Sequence, residues 1–320
     1  MKIKHLFPIL CILYLLVFAC RKPEKEYKPT HVYTLQPLEI DTSSAIFRGK
    51  VSEGTDDINE FGFEWRKITD TVFKTITVQS TNGHFSFMVT GLEEDTEYAV
   101  RAFVANKDSL WYAKVFSFFT KGTVADIDGN IYLTLRYGDK MWMTENLRVT
   151  RFADGTPIKG HSIGEPDFNG PLFFFDESHT PNPLPNQPKF GLLYNSFAAM
   201  CNYKFIPAPI GFQKVFQGVC PDGWHLSTAQ EWENLFKFCT EMHNASVIVM
   251  KTSNWPDPPY YANNHSLFSV DPAGYFEWKF EGLYESALFW NGPYILFNFN
   301  EPHSVQLLGD PGCSVRCVKD

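Results

Sequence analysis

The sequence predicts a two-part, β-rich fold: an all-β sandwich followed by an α+β domain with irregular loops. Three observations predict it. Short alternating apolar segments fill the first third of the 320 residues, and that length is itself enough for two domains. The chain holds 30 Phe, 14 Tyr and 8 Trp with 21 Gly and 21 Pro, a composition that favours short strands and turns over long helices. Five cysteines, Cys201, Cys220, Cys239, Cys313 and Cys317, all lie beyond residue 200, so the first domain must stand on packing alone.

The chain opens with Met-Lys-Ile-Lys-His and an apolar stretch from Leu6 to Ala19, the layout of a secretory signal peptide and too short for a comfortable membrane span. Val17-Phe18-Ala19-Cys20 resembles a lipobox, so residues 1–19 are expected to be removed and Cys20 lipidated. Residues 20–30, with Arg-Lys-Pro-Glu-Lys-Glu-Tyr-Lys-Pro, hold too few apolar groups to offset the entropy of folding and read as a tether. A multi-acyl anchor holds durably because each buried methylene contributes about 0.8 kcal/mol. The expected place is therefore the cell envelope, lipid-anchored, with the outer membrane favoured.

The formal net charge is −8, and the leader carries Lys2 and Lys4 but no acid, so the remainder is more acidic still. Nucleic acid, whose phosphates are neutralised by Lys and Arg, is an unsuitable partner.

The first domain, residues 31–121, reads as half-buried strands: Ser44–Val51, Phe61–Trp65, Phe73–Val78, His84–Thr90, Glu97–Ala105 and Trp111–Phe119. Each buries one face, so two sheets must cover each other. Gly91-Leu92-Glu-Glu-Asp-Thr-Glu-Tyr98-Ala-Val-Arg-Ala102 resembles the tyrosine-corner segment of fibronectin type III domains. The resemblance implies structural roles for Tyr98 and Leu92 and a spacer or binding module without an active site.

The second domain, residues 122–320, opens with Asp126-Ile-Asp128-Gly-Asn130 between strand-like segments, followed by Ile131–Leu135 and Lys140–Met143. A calcium loop of the EF-hand type needs Glu where Tyr137 stands, so a hairpin turn is expected instead. A short helix is expected over Leu193–Met200. Further on, Thr228 and Glu231 make a capping box, and Trp232, Leu235, Phe236 and Cys239 share one face of an amphipathic helix.

Cys220-Pro-Asp-Gly-Trp224-His-Leu226, Trp142-Met-Thr-Glu-Asn-Leu147, Gly191-Leu-Leu-Tyr-Asn195 and Ser314-Val-Arg-Cys-Val318 together resemble the Fibrobacter succinogenes major paralogous domain, from about Asp126 onward. The resemblance implies an exported protein, a C-type-lectin-like or formylglycine-generating-enzyme-like fold, and a disulfide between Cys220 and Cys317. Closing a loop of nearly one hundred residues stabilises by up to roughly 4 to 5 kcal/mol on the chain-entropy account. Ser227 departs from the family's usual Pro, and Cys313 is an added thiol. Cys239 is expected as a buried thiol, while the partners of Cys201 and Cys313 stay open.

Trp142, Trp224, Trp232 and Trp290 are expected in the core. Trp255, Tyr260, Tyr261, Asn263, Asn264 and Trp278 lie in or just after a Pro- and Asn-rich stretch, and aromatics beside amides on a loop are what sugar rings stack on. They form the candidate ligand site, although the same rings could instead plug the core. The expected function is a non-catalytic recognition module for a polysaccharide or a surface protein. A structural or adhesive envelope protein is the alternative.

An oxidase is the third reading, because formylglycine-generating enzymes bind copper through a cysteine pair comparable to Cys313 and Cys317. It would need both thiols free. Asn300-Glu-Pro302 is read as a turn and not as a lectin calcium site. No phosphate loop, His-Glu-x-x-His or Gly-x-Ser-x-Gly occurs, so no cofactor, metal or catalytic residue is expected.

Overall fold

The computed structural model describes residues 28–52, 54, 56–161, 170–174, 190–200, 215–243, 255, 264, 266–283, 285–290, 294–297, 303–305 and 310–320. The leader and Cys20, together with Cys201, Tyr260, Tyr261, Asn263 and the 300–302 turn, lie outside the described residues. The described chain is predominantly β-sheet with few helices, consistent with a β-sandwich. No described helix is long and apolar enough to cross a membrane. Two compact units emerge: the described residues up to Leu38 with Ile46–Val89 and Tyr98–Phe118, and Glu39–Ala45 with Thr90–Glu97 and Phe119–Asp320.

The first unit is built from β1 (Val32–Leu38), β2 (Ser44–Val51), β3 (Glu60–Lys67), β4 (Lys74–Val78), β5 (His84–Thr90), β6 (Glu97–Ala105), β7 (Leu110–Tyr112) and β8 (Phe116–Phe119). One sheet runs β1-β2-β5; the other runs β4-β3-β6-β7, with β8 also on β6. Period-two patterning sends one set of side chains inward. Phe47 from the first sheet and Phe63 from the second are fully buried with ring centroids 5.8 Å apart, and Phe85 lies 5.2 Å from Phe63. Gly49 permits this packing, since a Cβ there would sit 2.4 Å from the Phe85 ring. Tyr98 is buried and stacks on Phe118 at 5.9 Å.

Sequence patterning passes over β1, because Pro37 interrupts it and most of its side chains are only half buried. The register shift between Leu35 and Leu38 marks it as an irregular edge, the position where proline is tolerated. The single expected strand Trp111–Phe119 is two strands, β7 and β8, each paired with β6.

The second unit contains β9 (Gly122–Ala125), β10 (Ile131–Tyr137), β11 (Lys140–Met143), β12 (Lys159–His161), β13 (Leu172–Phe174), β14 (Leu193–Tyr194), α1 (Ser196–Ala199), β15 (Trp224–Leu226) and α2 (Ala229–His243). It continues with β16 (Tyr275–Phe276), β17 (Phe280–Glu281), β18 (Ala287–Phe289), β19 (Tyr294–Phe297), β20 (His303–Val305) and β21 (Cys317–Lys319). Its main sheet is ordered β15-β21-β11-β10-β9, so the last strand is inserted between β15 and the much earlier β11. The helix expected over Leu193–Met200 is shorter: Leu193 and Tyr194 pair with β13, and Asn195 caps α1 by accepting from Ala198 N–H.

The acidic turn between β9 and β10 is closed by its own side chains. Asp126 Oδ1 accepts from the N–H groups of Asp128 and Asn130, and Oδ2 accepts from Tyr132 Oη at 2.6 Å and Asn130 Nδ2 at 2.9 Å. Asp128 is held by Thr150 and Arg151. With these oxygens already satisfied by protein donors, the turn is the hairpin that patterning indicates.

Candidate functional site

Cys220 and Cys317 are joined by a disulfide with Cα atoms 5.8 Å apart, both fully buried. Cys317 pairs with Leu226 across β21 and β15, so the bond staples the last strand to the segment leading into α2. Cys313 is buried, its thiol pushed well above the usual range by burial and then by the Asp310 charge. Cys239 is raised to about 12 by burial. The pair of free thiols that the oxidase reading requires is not present in this structure, because Cys317 is engaged with Cys220 and only Cys313 of the two is free, and it is buried. A soft-metal site needs deprotonated thiolates, and a disulfide sulfur supplies none. Among the described residues no group of three or more His, Cys, Asp or Glu is arranged to hold a metal ion.

Behind the disulfide lies an aromatic core. Trp142 and Trp232 meet edge-on at 5.1 Å, and Phe268 lies 5.5 and 5.4 Å from them. Trp224 and Trp290 are also buried, and Trp290 Nε1 donates to Tyr194 O at 2.6 Å.

Arg316, which sequence reading left within a framework motif, is fully buried in this core. Its Nε donates to Asn146 Oδ1 at 2.7 Å, Nη1 to the carbonyls of Met143 and Phe268, and Nη2 to Ser269 O at 3.0 Å. The guanidinium also lies 4.9 Å from the Phe268 ring centroid. Burial lowers its pKa to about 10, with Asp271 and Glu145 opposing. The signal that could have found it is an arginine set in the apolar run Val315-Arg316-Cys317-Val318, buried on both faces.

Arg316 pins the loop that was expected to display ligand-binding aromatics. Trp255 is buried beside Phe268 and Val270, with Nε1 donating to Val270 O at 3.1 Å. Its assignment to a ligand surface is therefore corrected to core, because a ring that size gains more from covering apolar neighbours than from solvent. Asn264, at φ +50°, uses its amide internally: Oδ1 accepts from Ser269 N–H and Nδ2 donates to Ser269 Oγ. It too is a structural residue.

Trp278 differs. It stands at the tip of the β16–β17 hairpin with 77% of its surface exposed. The hairpin is anchored from beneath by Phe276, which stacks on Phe174 at 4.2 Å and meets the His161 ring at 5.9 Å. Phe276 also exchanges both backbone hydrogen bonds with Gly312, where a Cβ would lie 2.4 Å from the Phe174 ring. Glu277 N–H donates to Lys279 O, and Lys279 pairs with Glu281 at 3.3 Å. The result is a large, mostly exposed apolar ring on a packed, hydrogen-bonded base, with charges of both signs beside it. Such a ring offers a stacking face to a planar or sugar-like group.

The described residues that carry this geometry coincide with a family match: the Fibrobacter succinogenes major domain matches residues 135–319. The chain belongs to that family. The disulfide, Arg316, the tryptophan core and the Trp278 hairpin all fall within the matched major domain. No curated protein matches the chain. Among solved structures, the sensor domain of the anti-sigma factor RsgI4 in Pseudobacteroides cellulosolvens is 15% identical, covering 29% of this chain and 75% of that one at a TM-score of 0.25. A myokine structure is 21% identical over 29% of this chain and 94% of that one, with a TM-score of 0.23. A computationally redesigned β-sandwich protein is 18% identical over 28% and 92%, with a TM-score of 0.24.

Proposed function

We propose that this major-domain protein is an exported, lipid-anchored recognition protein without catalytic activity. Its Trp278 hairpin contacts a polysaccharide or a partner at the cell surface. The observation that carries the reading is the exposed Trp278 on a fixed base, in a unit whose other tryptophans are spent on the core. The buried Cys220–Cys317 bond supports an oxidising compartment outside the cytoplasm, in keeping with the leader and Cys20. In the first unit, three strands facing four or five, with a buried tyrosine at the start of β6, support a fibronectin type III-like spacer. The short strands and irregular links of the second unit support a C-type-lectin-like architecture.

Two experiments test this. Cys20→Ala should release the protein from membranes into the soluble fraction, and metabolic labelling with an alkynyl fatty acid should mark only the native chain. On a polysaccharide array, Trp278→Ala should abolish the signal of the native protein while leaving its melting temperature unchanged. Equal array signals from the two proteins would remove Trp278 from the contact surface, and failure of the native chain to bind any glycan would favour the protein-partner or adhesive reading.

A further inference from the structure

His225 is the middle residue of β15, and both nitrogens of its buried ring meet carboxylates from different elements. Nδ1 lies 2.6 Å from Asp320 Oδ1, while Nε2 lies 3.0 and 3.1 Å from the two oxygens of Glu231 in the first turn of α2. Strand β15 pairs with β21 through His225 opposite Val318, and Asp320 N–H donates to Gly223 O at 3.0 Å. One imidazole thus bridges the helix start and the end of the last strand. A neutral imidazole has one N–H and can donate to only one carboxylate, turning a lone pair toward the other; the imidazolium donates to both. The two carboxylates are not equivalent. Glu231 is also held by Lys140 Nζ of β11 at 3.3 Å and by Thr228, whereas the Asp320 side chain is 61% exposed.

We propose that His225 is a pH-gated latch: its protonated ring ties the end of β21 to α2, and loss of that proton frees Asp320 while Glu231 stays held by Lys140 and Thr228. The charged groups facing the ring are Glu231 from α2 and Asp320 beyond β21, with Lys140 of β11 behind Glu231. Burial pushes the imidazole's pKa down, but the hydrogen bonds and charges of Glu231 and Asp320 outweigh it, and the net shift is upward from 6.5. Burial likewise opposes ionisation of Glu231, yet His225 and Thr228 bring it from 4.5 to about 2. A raised histidine stabilises fully below its unfolded value and loses that contribution as pH rises through the folded one; a depressed carboxylate loses its contribution as pH falls toward its folded value. The latch's contribution to stability is therefore full between about pH 4.5 and 6.5, and it is lost on the alkaline side as pH rises through the raised value of the folded imidazole. Opening removes a side-chain tie just beyond the strand that carries one end of the disulfide, while the backbone pairing of β21 with β15 and β11 stays in place.

The test is a histidine Cε1 NMR titration of the full oxidised chain from pH 5 to 9, with thermal melting across the same range, for the native protein and Asp320→Asn. The exposed position of Asp320 keeps that variant folded, and His225→Asn serves to assign the resonance. The expected result is a His225 midpoint above 6.5 that moves down in D320N, together with a melting temperature of D320N that falls below native in acid and converges with it above the native midpoint. A native midpoint at or below 6.5, or a melting difference that stays constant with pH, would overturn the latch.

Discussion

Arg316 answers to five N–H groups and a positive charge placed where no water reaches, and the structure meets four of those donors with three carbonyls and the Asn146 amide. Removing the side chain leaves these acceptors facing apolar rings, at about 1–3 kcal/mol for each one left unsatisfied. Arg316→Met is therefore expected to lower the unfolding free energy by about 3 kcal/mol or more, read from the urea midpoint. Lysine keeps the charge but not the planar fork, so R316K should recover only part of the loss. The two tryptophans once grouped together separate by the same measurement. Trp255→Ala empties a buried site and should cost about 3–5 kcal/mol, while Trp278→Ala should stay within about 0.5 kcal/mol of native. Residue type alone could not tell these two rings apart, since both sit among loop-forming neighbours; what differs is whether Val270 and Phe268 cover them.

Helix α2 shows what local chemistry can specify without help. Thr228 Oγ donates to Glu231 Oε2 at 2.9 Å and accepts from Glu231 N–H at 3.3 Å, while Glu231 Oε2 takes the Thr228 N–H at 3.0 Å. This reciprocal cap was legible from the Thr-x-x-Glu spacing, as was the apolar face that buries Trp232, Leu235 and Cys239. Thr228→Ala should destabilise by about 1 kcal/mol, measured in the same urea titrations. Strands β2 and β5 were equally legible, because alternation over seven or eight residues reports a half-buried ribbon directly, whereas β6 is read from a near-continuous apolar run and is buried on both faces. Elements of two or three residues, such as β12, β14 and β16, were not. They have no room for a period, and their pairing is imposed by neighbours far away in the chain.

At the scale of the molecule, all the cysteines beyond Cys20 belong to the second unit, and the sandwich must hold by ring packing around Phe47 and Phe63. Calorimetry of the oxidised chain with and without reductant should therefore show one transition that does not move and one that falls. The falling transition reflects the loss of a clamp closing 97 residues, worth up to roughly 4 to 5 kcal/mol. Two unmoved transitions would mean that the bond contributes nothing to folding. By itself the sequence determined the β-rich class, most strands of the first unit, the capped helix and the family, whose resemblance implied the cysteine pair, because propensity, periodicity and motif order are properties of neighbours along the chain. The tertiary structure alone decided that Trp255 is core and Trp278 surface, that Arg316 pins a distant loop, and that His225 sits between two acids. Burial and charge environment depend on residues brought together across 170 positions and more, as Asn146 and Met143 are with Arg316, and no local pattern encodes that approach.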